Sequence, residues 1–163
     1  MKNIILHFIT LSILFLIVGS THLNAQCGRF TKKESLPKLE NFTHNGQLNS
    51  AKLFAGDEAE LYMTFYSGHL YRILVDNQPI LGNAVFKVYD KKKNLLYDSQ
   101  REPGKQYWDF NVEKSQQLKI VVSVPQSENQ NNIKLTENGC VSILIGFKTE
   151  KQIEKEKLLK AEK

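Results

Sequence analysis

Short runs in which apolar and polar residues alternate fill most of the chain after residue 48, and they constrain its fold more than any other feature. In one of these runs Leu61, Met63 and Phe65 fall on one side and Tyr62 on the other. Period-two alternation is the pattern of a half-buried strand. Further runs at 70–75, 84–89, 94–97, 108–112, 118–124 and 141–147 are separated by turn-forming residues. Seven or eight short strands without a convincing internal helix predict an all-β fold, an antiparallel β-sandwich.

Two pairs of these runs are separated by short turns, which favours hairpins. Ser67-Gly68 separates the first pair, 61–65 and 70–75. Lys91-Lys92-Lys93 separates the second pair, 84–89 and 94–97. We therefore expect each pair to form two adjacent strands of one sheet.

Residues 1–25 have the pattern of a cleavable secretory signal peptide. Lys2 supplies a positive start, an apolar run follows from Ile4 to Val18, and Ala25 offers a small residue at the cleavage position. An uncleaved membrane anchor is the first alternative, although a spanning helix needs about 20 apolar residues. The chain is therefore predicted to be periplasmic or secreted.

Cys27 is the second residue after this leader, and three interpretations of it are open. With Cys140 it makes an even pair, which in an oxidising compartment favours a disulfide. The other interpretation is an outer-membrane lipoprotein attached through Cys27, but Gln26 and Asn24 stand where lipid attachment favours a small residue and a leucine. Two free thiols are a third alternative, and neither cysteine has the CxxC spacing of a redox or zinc site.

Composition divides the rest of the chain into three parts. Residues 26–47 are polar and carry turn residues, so we expect an irregular N-terminal segment before a sandwich domain at 48–148. The tail, 149–163, has Glu and Lys residues at helical spacing and predicts a short charged helix. This tail is either a solvated extension or a helix that docks on a partner.

The positive net charge of +5 does not indicate a nucleic-acid-binding protein. Residues 26–147 hold 15 basic and 13 acidic side chains, and the only local basic cluster is the lysine turn at 91–93. Export and a scattered charge make nucleic acid an improbable partner.

The segment from Phe54 to Pro125 resembles the β-sandwiches grouped as bacterial prepeptidase C-terminal and GOLD-like domains. The resemblance rests on Gly56-Asp57-Glu58-Ala59 at a strand entrance, Phe86-Lys87-Val88-Tyr89-Asp90 followed by Asn94-Leu95-Leu96-Tyr97-Asp98, and the strand Tyr107-Trp108-Asp109-Phe110. Gln116-Gln117-Leu118-Lys119 stands where the family carries a Gly-Tyr-Tyr entry. The resemblance implies a jelly-roll-like sandwich that acts as an accessory or binding domain, and it implies fold more than function.

No residue pattern in the chain has the spacing of a catalytic, metal or cofactor site, so we predict neither an enzyme nor a cofactor. Ser67 and His69 share a turn but lack the strand-to-helix elbow of an exposed nucleophile. Asp57, Glu58 and Glu60 form the densest acidic group but lack the alternation of a calcium loop. We therefore interpret Ser67 and His69 as parts of a plain turn, and the acidic group as a solvated strand entrance.

Aromatic residues on the polar side of two strands are the candidate binding surface. Tyr62 and Tyr66 point away from the apolar side of their strand, and Tyr71 and Arg72 follow just across the turn. Exposed, such amphipathic rings recognise proteins or sugars. The leading hypothesis is a non-catalytic domain that binds another envelope or secreted protein; the alternatives are a carbohydrate-binding module that uses these tyrosines, and a small secreted hydrolase.

Overall fold

The structure is a computed structural model that describes residues 25–126 and 137–161. The predicted signal peptide therefore lies outside the described residues, apart from Ala25. Within the described residues no helix has the length and apolar character that a membrane span requires.

Nine strands and two α-helices make up the described chain, together with short helical turns. Helix α1 spans Ala25–Phe30 and is followed by a π-helical turn, Thr31–Ser35, and a 3-10 turn, Leu36–Leu39. Further 3-10 turns lie at Pro79–Leu81 and Ser99–Arg101, and helix α2 spans Glu150–Ala161. The strands are β1 (Thr43–His44), β2 (Asn49–Phe54), β3 (Glu58–Phe65), β4 (His69–Asn77), β5 (Val85–Tyr89), β6 (Leu95–Asp98), β7 (Tyr107–Val112), β8 (Gln116–Ser123) and β9 (Asn138–Thr149).

The strands form two antiparallel sheets, as the alternation predicts. One sheet has the order β1-β9-β4-β7, with β2 pairing beside β1 along the same edge of β9, and the other has the order β3-β8-β5-β6. Apart from β5 and β6, which are neighbours in one sheet, consecutive strands from β2 to β9 lie in opposite sheets, in the manner of an eight-stranded jelly roll. The predicted antiparallel, jelly-roll-like β-sandwich with a C-terminal helix is confirmed.

The hairpin predicted around Ser67-Gly68 is wrong. Strand β3 pairs with β8, whereas β4 pairs with β7 and β9 in the opposite sheet. The short connection therefore crosses from one layer of the sandwich to the other, with Gly68 at a φ of 77° that favours glycine. The second predicted hairpin, β5 with β6, is confirmed and contains a register shift at Val88/Tyr89.

The main core lies between the two sheets and consists of the inward residues that the alternation selects. Its fully buried members include Phe65, Ile73, Phe86, Val88, Leu118, Ile120, Val122 and Ile145. Burial of such apolar side chains contributes about 1.5–3 kcal/mol each relative to exposure, so this layer is the main source of stability.

The N-terminal segment predicted to be irregular is instead largely helical and covers the outer side of the five-stranded sheet. Leu39 and Phe42 pack there against Leu74 and Leu144 in a second, smaller core. Gly146 lets this layer approach closely, because a Cβ atom at that position would lie 2.6 Å from Cβ of Phe42. The segment is too short and polar for a helix to be evident from its sequence, and contact with the sheet stabilises it.

A disulfide joins Cys27 of α1 to Cys140 of β9, with 5.2 Å between the two Cα atoms. The predicted pairing is therefore confirmed. A sulfur atom in this bond is not free to carry a lipid, so the structure favours the disulfide over attachment through Cys27. Beside it, the buried Thr31 and Ser142 hydroxyls share a hydrogen bond of 2.7 Å.

Helix α2 begins in a capping box, in agreement with the helical tail predicted at 149–163. The amide of Thr149 donates to Oε1 of Gln152 at 2.8 Å, and the amide of Gln152 donates to Oγ1 of Thr149 at 3.4 Å. Lys148 reaches Glu156 of the helix at 2.7 Å. The helix itself has no buried residue, so these polar contacts hold it near β9.

Candidate functional site

An open groove runs along one edge of the sandwich, where the edge strand β3 of one sheet faces the edge formed by β1 and β2 of the other. We call it the edge groove; it has a volume of about 640 Å³, within the range of about 300–1,000 Å³ typical of binding clefts. Its lining comes from both sheets and comprises Asn45, Gln47, Leu61, Tyr62, Met63, Thr64, Tyr66, His69, Tyr71, Ile145 and Phe147.

Aromatic and aliphatic side chains form the floor of the edge groove. The rings of Phe65 and Tyr71 meet edge to face at 5.0 Å, and His69 lies 5.7 Å from Phe147. The Tyr71 hydroxyl accepts a hydrogen bond of 3.2 Å from the Tyr66 amide, which ties the floor to the chain that leaves β3. These contacts make the floor a rigid apolar surface.

The loop between β1 and β2 forms one wall, and local hydrogen bonds hold its shape. The amide of Asn45 donates to the Ile145 carbonyl at 3.0 Å, and its side-chain oxygen accepts from the Gln47 amide at 3.0 Å. Gly46 between them has a φ of 88°. The wall is therefore built on a defined turn that is bonded to β9.

Strand β3 forms the opposite wall. In the part of the chain that the structure describes, β3 pairs with β8 on one side and with no strand on the other. Its outward side chains include Tyr62, which is 57% exposed, and Tyr66 just beyond the strand is 62% exposed. An edge strand with unpaired backbone groups beside apolar surface is suited to contact with another chain.

Three of the four residues predicted as a binding surface thus line one groove, but with different roles. Tyr62 and Tyr66 offer exposed rings, whereas Tyr71 is only 7% exposed and belongs mainly to the floor. Arg72, predicted to extend the surface, is 6% exposed and lies under the N-terminal segment. The reason is the alternation itself, because adjacent residues of β4 point to opposite sides of their sheet.

Arg72 is buried in a network of charges and rings on the outer side of the five-stranded sheet. It donates to both oxygens of Asp109 at 2.8 and 2.9 Å and to Glu40 at 2.9 Å. Its guanidinium carbon lies 4.4 Å from the ring centre of Phe42 and 4.1 Å from that of Tyr107. The hydrogen bonds to Asp109 raise the pKa of Arg72, so the side chain stays charged and structural.

The acidic group at the entrance of β3 is engaged in local contacts. Asp57 accepts from the Phe54 amide at 2.8 Å, and Glu58 accepts from the Ser123 hydroxyl at 3.0 Å. Glu60 accepts from Lys119 and from Tyr62, and these hydrogen bonds lower its pKa. Within the described residues no group of three or more His, Cys, Asp or Glu side chains could hold a metal ion.

Ser67 and His69 lie on the turn that crosses between the sheets and do not contact each other as a nucleophile and a base would. Nδ1 of His69 lies 3.0 Å from the main-chain oxygen of Ser67, not from its hydroxyl. The Ser67 hydroxyl instead lies 3.5 Å from that of Ser115. The turn is held by these bonds and contributes His69 to the groove.

Sequence reasoning missed His69 and Phe147 as members of the groove. His69 lies two residues before Tyr71 on β4 and its ring is 5.8 Å from that of Tyr71, whereas Phe147 becomes a neighbour of Tyr71 only because β9 pairs with β4. Their alternation phase indicates a side of the strand, but the pairing that brings β9 beside β4 joins segments about 70 residues apart. The period-two pattern around Tyr71 could have indicated His69, but no local signal could have found Phe147.

The chain matches no protein-family model and no curated protein. Among solved structures it is similar to the crystal structure of Aeromonas hydrophila PliG, a periplasmic lysozyme inhibitor of g-type lysozyme. The two are 12% identical with a TM-score of 0.47, and the match covers 66% of this chain and 89% of that chain.

Proposed function

We propose that this protein is an exported, non-catalytic binding domain whose edge groove takes an extended segment of another envelope or secreted protein. The observation that carries the proposal is the free side of β3 beside the apolar floor of the groove. Strand addition to a sheet edge combines main-chain hydrogen bonds with pockets for alternate side chains of the incoming segment. The free backbone edge and the apolar groove beside it both lie along the eight residues of β3.

Tyr62 and Tyr66 are the anchors of this interaction. Their rings are more than half exposed in the free protein, and covering them removes apolar surface from water. Tyrosine is enriched among the few residues that dominate binding energies at protein interfaces, because the ring packs while its hydroxyl bonds at the rim. The incoming segment is therefore extended and carries apolar residues at alternate positions.

Export is part of the same proposal. The leader pattern at 1–25 and the disulfide between Cys27 and Cys140 both fit an oxidising compartment, the periplasm or the exterior. An accessory role beside another secreted protein, which the resemblance to prepeptidase C-terminal and GOLD-like domains implies, belongs to the same proposal. The carbohydrate alternative through Tyr62, Tyr66 and Tyr71 has less support, since the Tyr71 ring is buried.

Photo-cross-linking in the native envelope tests this function. A photoreactive residue at Thr64, on the exposed side of β3, should give a defined protein adduct, and the Tyr66→Ala variant should reduce that adduct several-fold. In the matched control the photoreactive residue replaces Leu96, which is 43% exposed on the far edge strand β6. Hydrogen exchange on the purified adduct should show protection of amides in 58–65, because strand addition pairs them.

Two results would contradict the proposal. One is an adduct of equal yield from positions 64 and 96, which would indicate random collision. The other is an adduct that survives Tyr66→Ala unchanged and leaves the β3 amides as exchangeable as in the free protein.

A further inference from the structure

A second groove lies on the outer face of the four-stranded sheet, on the side of β8 away from the core. We call it the outer-face groove; its volume is about 550 Å³. Strands β3, β8 and β5 contribute outward residues to it, and the turn between β5 and β6 forms its rim. Tyr62 borders both grooves, whereas Tyr89, Lys87 and Lys119 line only this one.

A row of three side chains crosses the floor of the outer-face groove. Lys119 of β8 lies opposite Tyr62 of β3 on one side and opposite Tyr89 of β5 on the other. Neighbouring strands are about 4.8 Å apart, which places the two tyrosines on strands about 10 Å apart. One ring, one amine and a second ring therefore follow one another across the three strands. The separation of neighbouring strands is comparable with the distance between successive sugar units in an extended chain.

The turn at the rim is ordered and carries three consecutive lysines. Asp90 accepts hydrogen bonds from the amides of Lys92 and Asn94, each at 2.8 Å, and from the Asn94 side chain at 2.7 Å. Lys93 adopts a φ of 66°, a conformation in which glycine would be unstrained. A lysine is thus held at a position where the turn alone favours glycine.

The charges around the groove leave its rim positive. Lys119 pairs with Glu60, and Lys87 lies 3.7 Å from Asp98. Asp90 stays ionised while it holds the turn, because the hydrogen bonds from Asn94 lower its pKa, and with the three lysines at 91–93 the turn carries a net charge of +2. Glu58 also lines the groove, but at the other end, where its partner Ser123 pairs with Val85. Lys91 and Lys93 line the groove at this turn, and among the described residues no ion pair involves either of them.

We infer that the outer-face groove binds a linear polysaccharide that carries carboxylate groups. Sugar rings pack on Tyr62 and Tyr89, and carboxylates of the chain meet Lys91 and Lys93 at the rim. An acidic peptide is a poorer fit, because β8 and β5 are already paired on both sides and offer no free backbone edge to an extended peptide. This site shares Tyr62 with the proposed protein-binding edge groove, whereas Tyr89, Lys91 and Lys93 line the outer-face groove and not the edge groove.

Affinity electrophoresis with polygalacturonate tests the inference, with dextran as the neutral polymer and poly-glutamate as an acidic peptide. Polygalacturonate should retard the protein, and the other two polymers should not. Tyr89→Ala and the double variant Lys91→Gln/Lys93→Gly should each weaken this binding about fivefold or more, as expected for loss of one stacking or charge-assisted contact. The matched control, Lys155→Gln/Lys157→Gln, removes the same charge from helix α2 and should bind like the unmodified protein.

The double variant also separates binding from folding. Glycine at position 93 relieves the backbone strain, so this variant should unfold at the same or a higher temperature while it loses affinity. Three results would overturn the site. The first is a loss of polygalacturonate affinity in the helix α2 control equal to that in the double variant. The others are retardation by poly-glutamate equal to that by polygalacturonate, and full polygalacturonate affinity in Tyr89→Ala. Tyr66→Ala should leave polysaccharide binding unchanged, so failure of the protein-binding proposal and failure of this one are distinguishable.

Discussion

Arg72 is the residue that joins the outer layer of the molecule to its sheet. Its planar guanidinium binds Asp109 of β7 through two hydrogen bonds and Glu40 of the N-terminal segment through one. Its guanidinium group also packs on the rings of Phe42 and Tyr107. A lysine would supply the charge but neither the forked geometry nor the flat surface for stacking.

The Arg72→Ala variant should therefore lose about 3 kcal/mol of unfolding free energy, because it leaves Asp109 without its partner and removes packing against two rings. Urea denaturation measures this loss. Glu40→Gln is the matched control and should cost less than about 1 kcal/mol, since the Glu40 side chain is 65% exposed. Equal losses in the two variants would show that the Asp109 pair contributes nothing beyond a surface contact.

The tyrosines show how far residue-level prediction reaches. Alternation correctly separates Leu61, Met63 and Phe65 from the outward Tyr62, because the phase of a strand is local. It does not indicate which side of a strand is covered, and for β4 both sides are. Tyr71 faces the main core and Arg72 the N-terminal layer, so neither extends an exposed surface. Tyr89 and Lys119 become a site only through the pairing of three strands.

At the scale of elements, the N-terminal layer depends on a covalent link. The disulfide joins positions 113 residues apart and holds α1 against β9, an interior strand of the five-stranded sheet. The sequence indicated the bond from cysteine count and compartment. It did not indicate that residues 25–39 are helical, because their contacts lie far away in the chain.

Replacing both cysteines, Cys27→Ser and Cys140→Ser, should lower the unfolding free energy by up to about 4–5 kcal/mol, the chain-entropy value for a loop of this length. Guanidinium denaturation measures the change, and the unmodified protein with reductant should approach the double variant. Intact mass should rise by two hydrogens on reduction. If neither the cysteine replacements nor the reductant shifts the midpoint of guanidinium denaturation, the disulfide has no stabilising role.

Helix α2 should respond to acid through one ion pair. The hydrogen bond from Lys148 lowers the pKa of Glu156 below its ordinary value of 4.5. A lowered carboxyl pKa means that the contact is complete above pH 4.5 and is lost as the pH falls through the lowered value. Hydrogen exchange of the 150–161 amides should therefore speed up, after correction for intrinsic rates, in that acidic range. Glu156→Gln should remove the pH step, and a step that persists in this variant would assign it to another group.

At the scale of the whole molecule, β9 organises the fold although it comes last among the strands. It pairs with β1, β2 and β4, carries Cys140, and contributes Val141, Ile143 and Ile145 to the core. The phase of a strand is a local property and was predictable, and the alternation indicated seven of the nine strands but neither β1 nor β2. The partners of the strands were not predictable, because β1 and β2 pair with β9 across about a hundred residues. In the same way β4 pairs with the distant β9 and not with the preceding β3, so the expected hairpin is a crossover between the sheets.

Truncation tests this dependence on β9. A chain that ends at residue 126 lacks β9, an interior strand of the five-stranded sheet, and one half of the disulfide, so it should show no cooperative thermal transition by circular dichroism. A chain that ends at Thr149 lacks helix α2, which has no buried residue, and should melt cooperatively at a temperature close to that of the full chain.

A peptide of residues 137–149, which contains β9, should restore part of the transition when it is added to the chain that ends at residue 126. The reason is that β9 pairs through its backbone and packs its apolar side chains as an inserted strand. Cooperative melting of the chain that ends at residue 126 would show that the four-stranded sheet and the pair of strands β4 and β7 form a stable unit without β9.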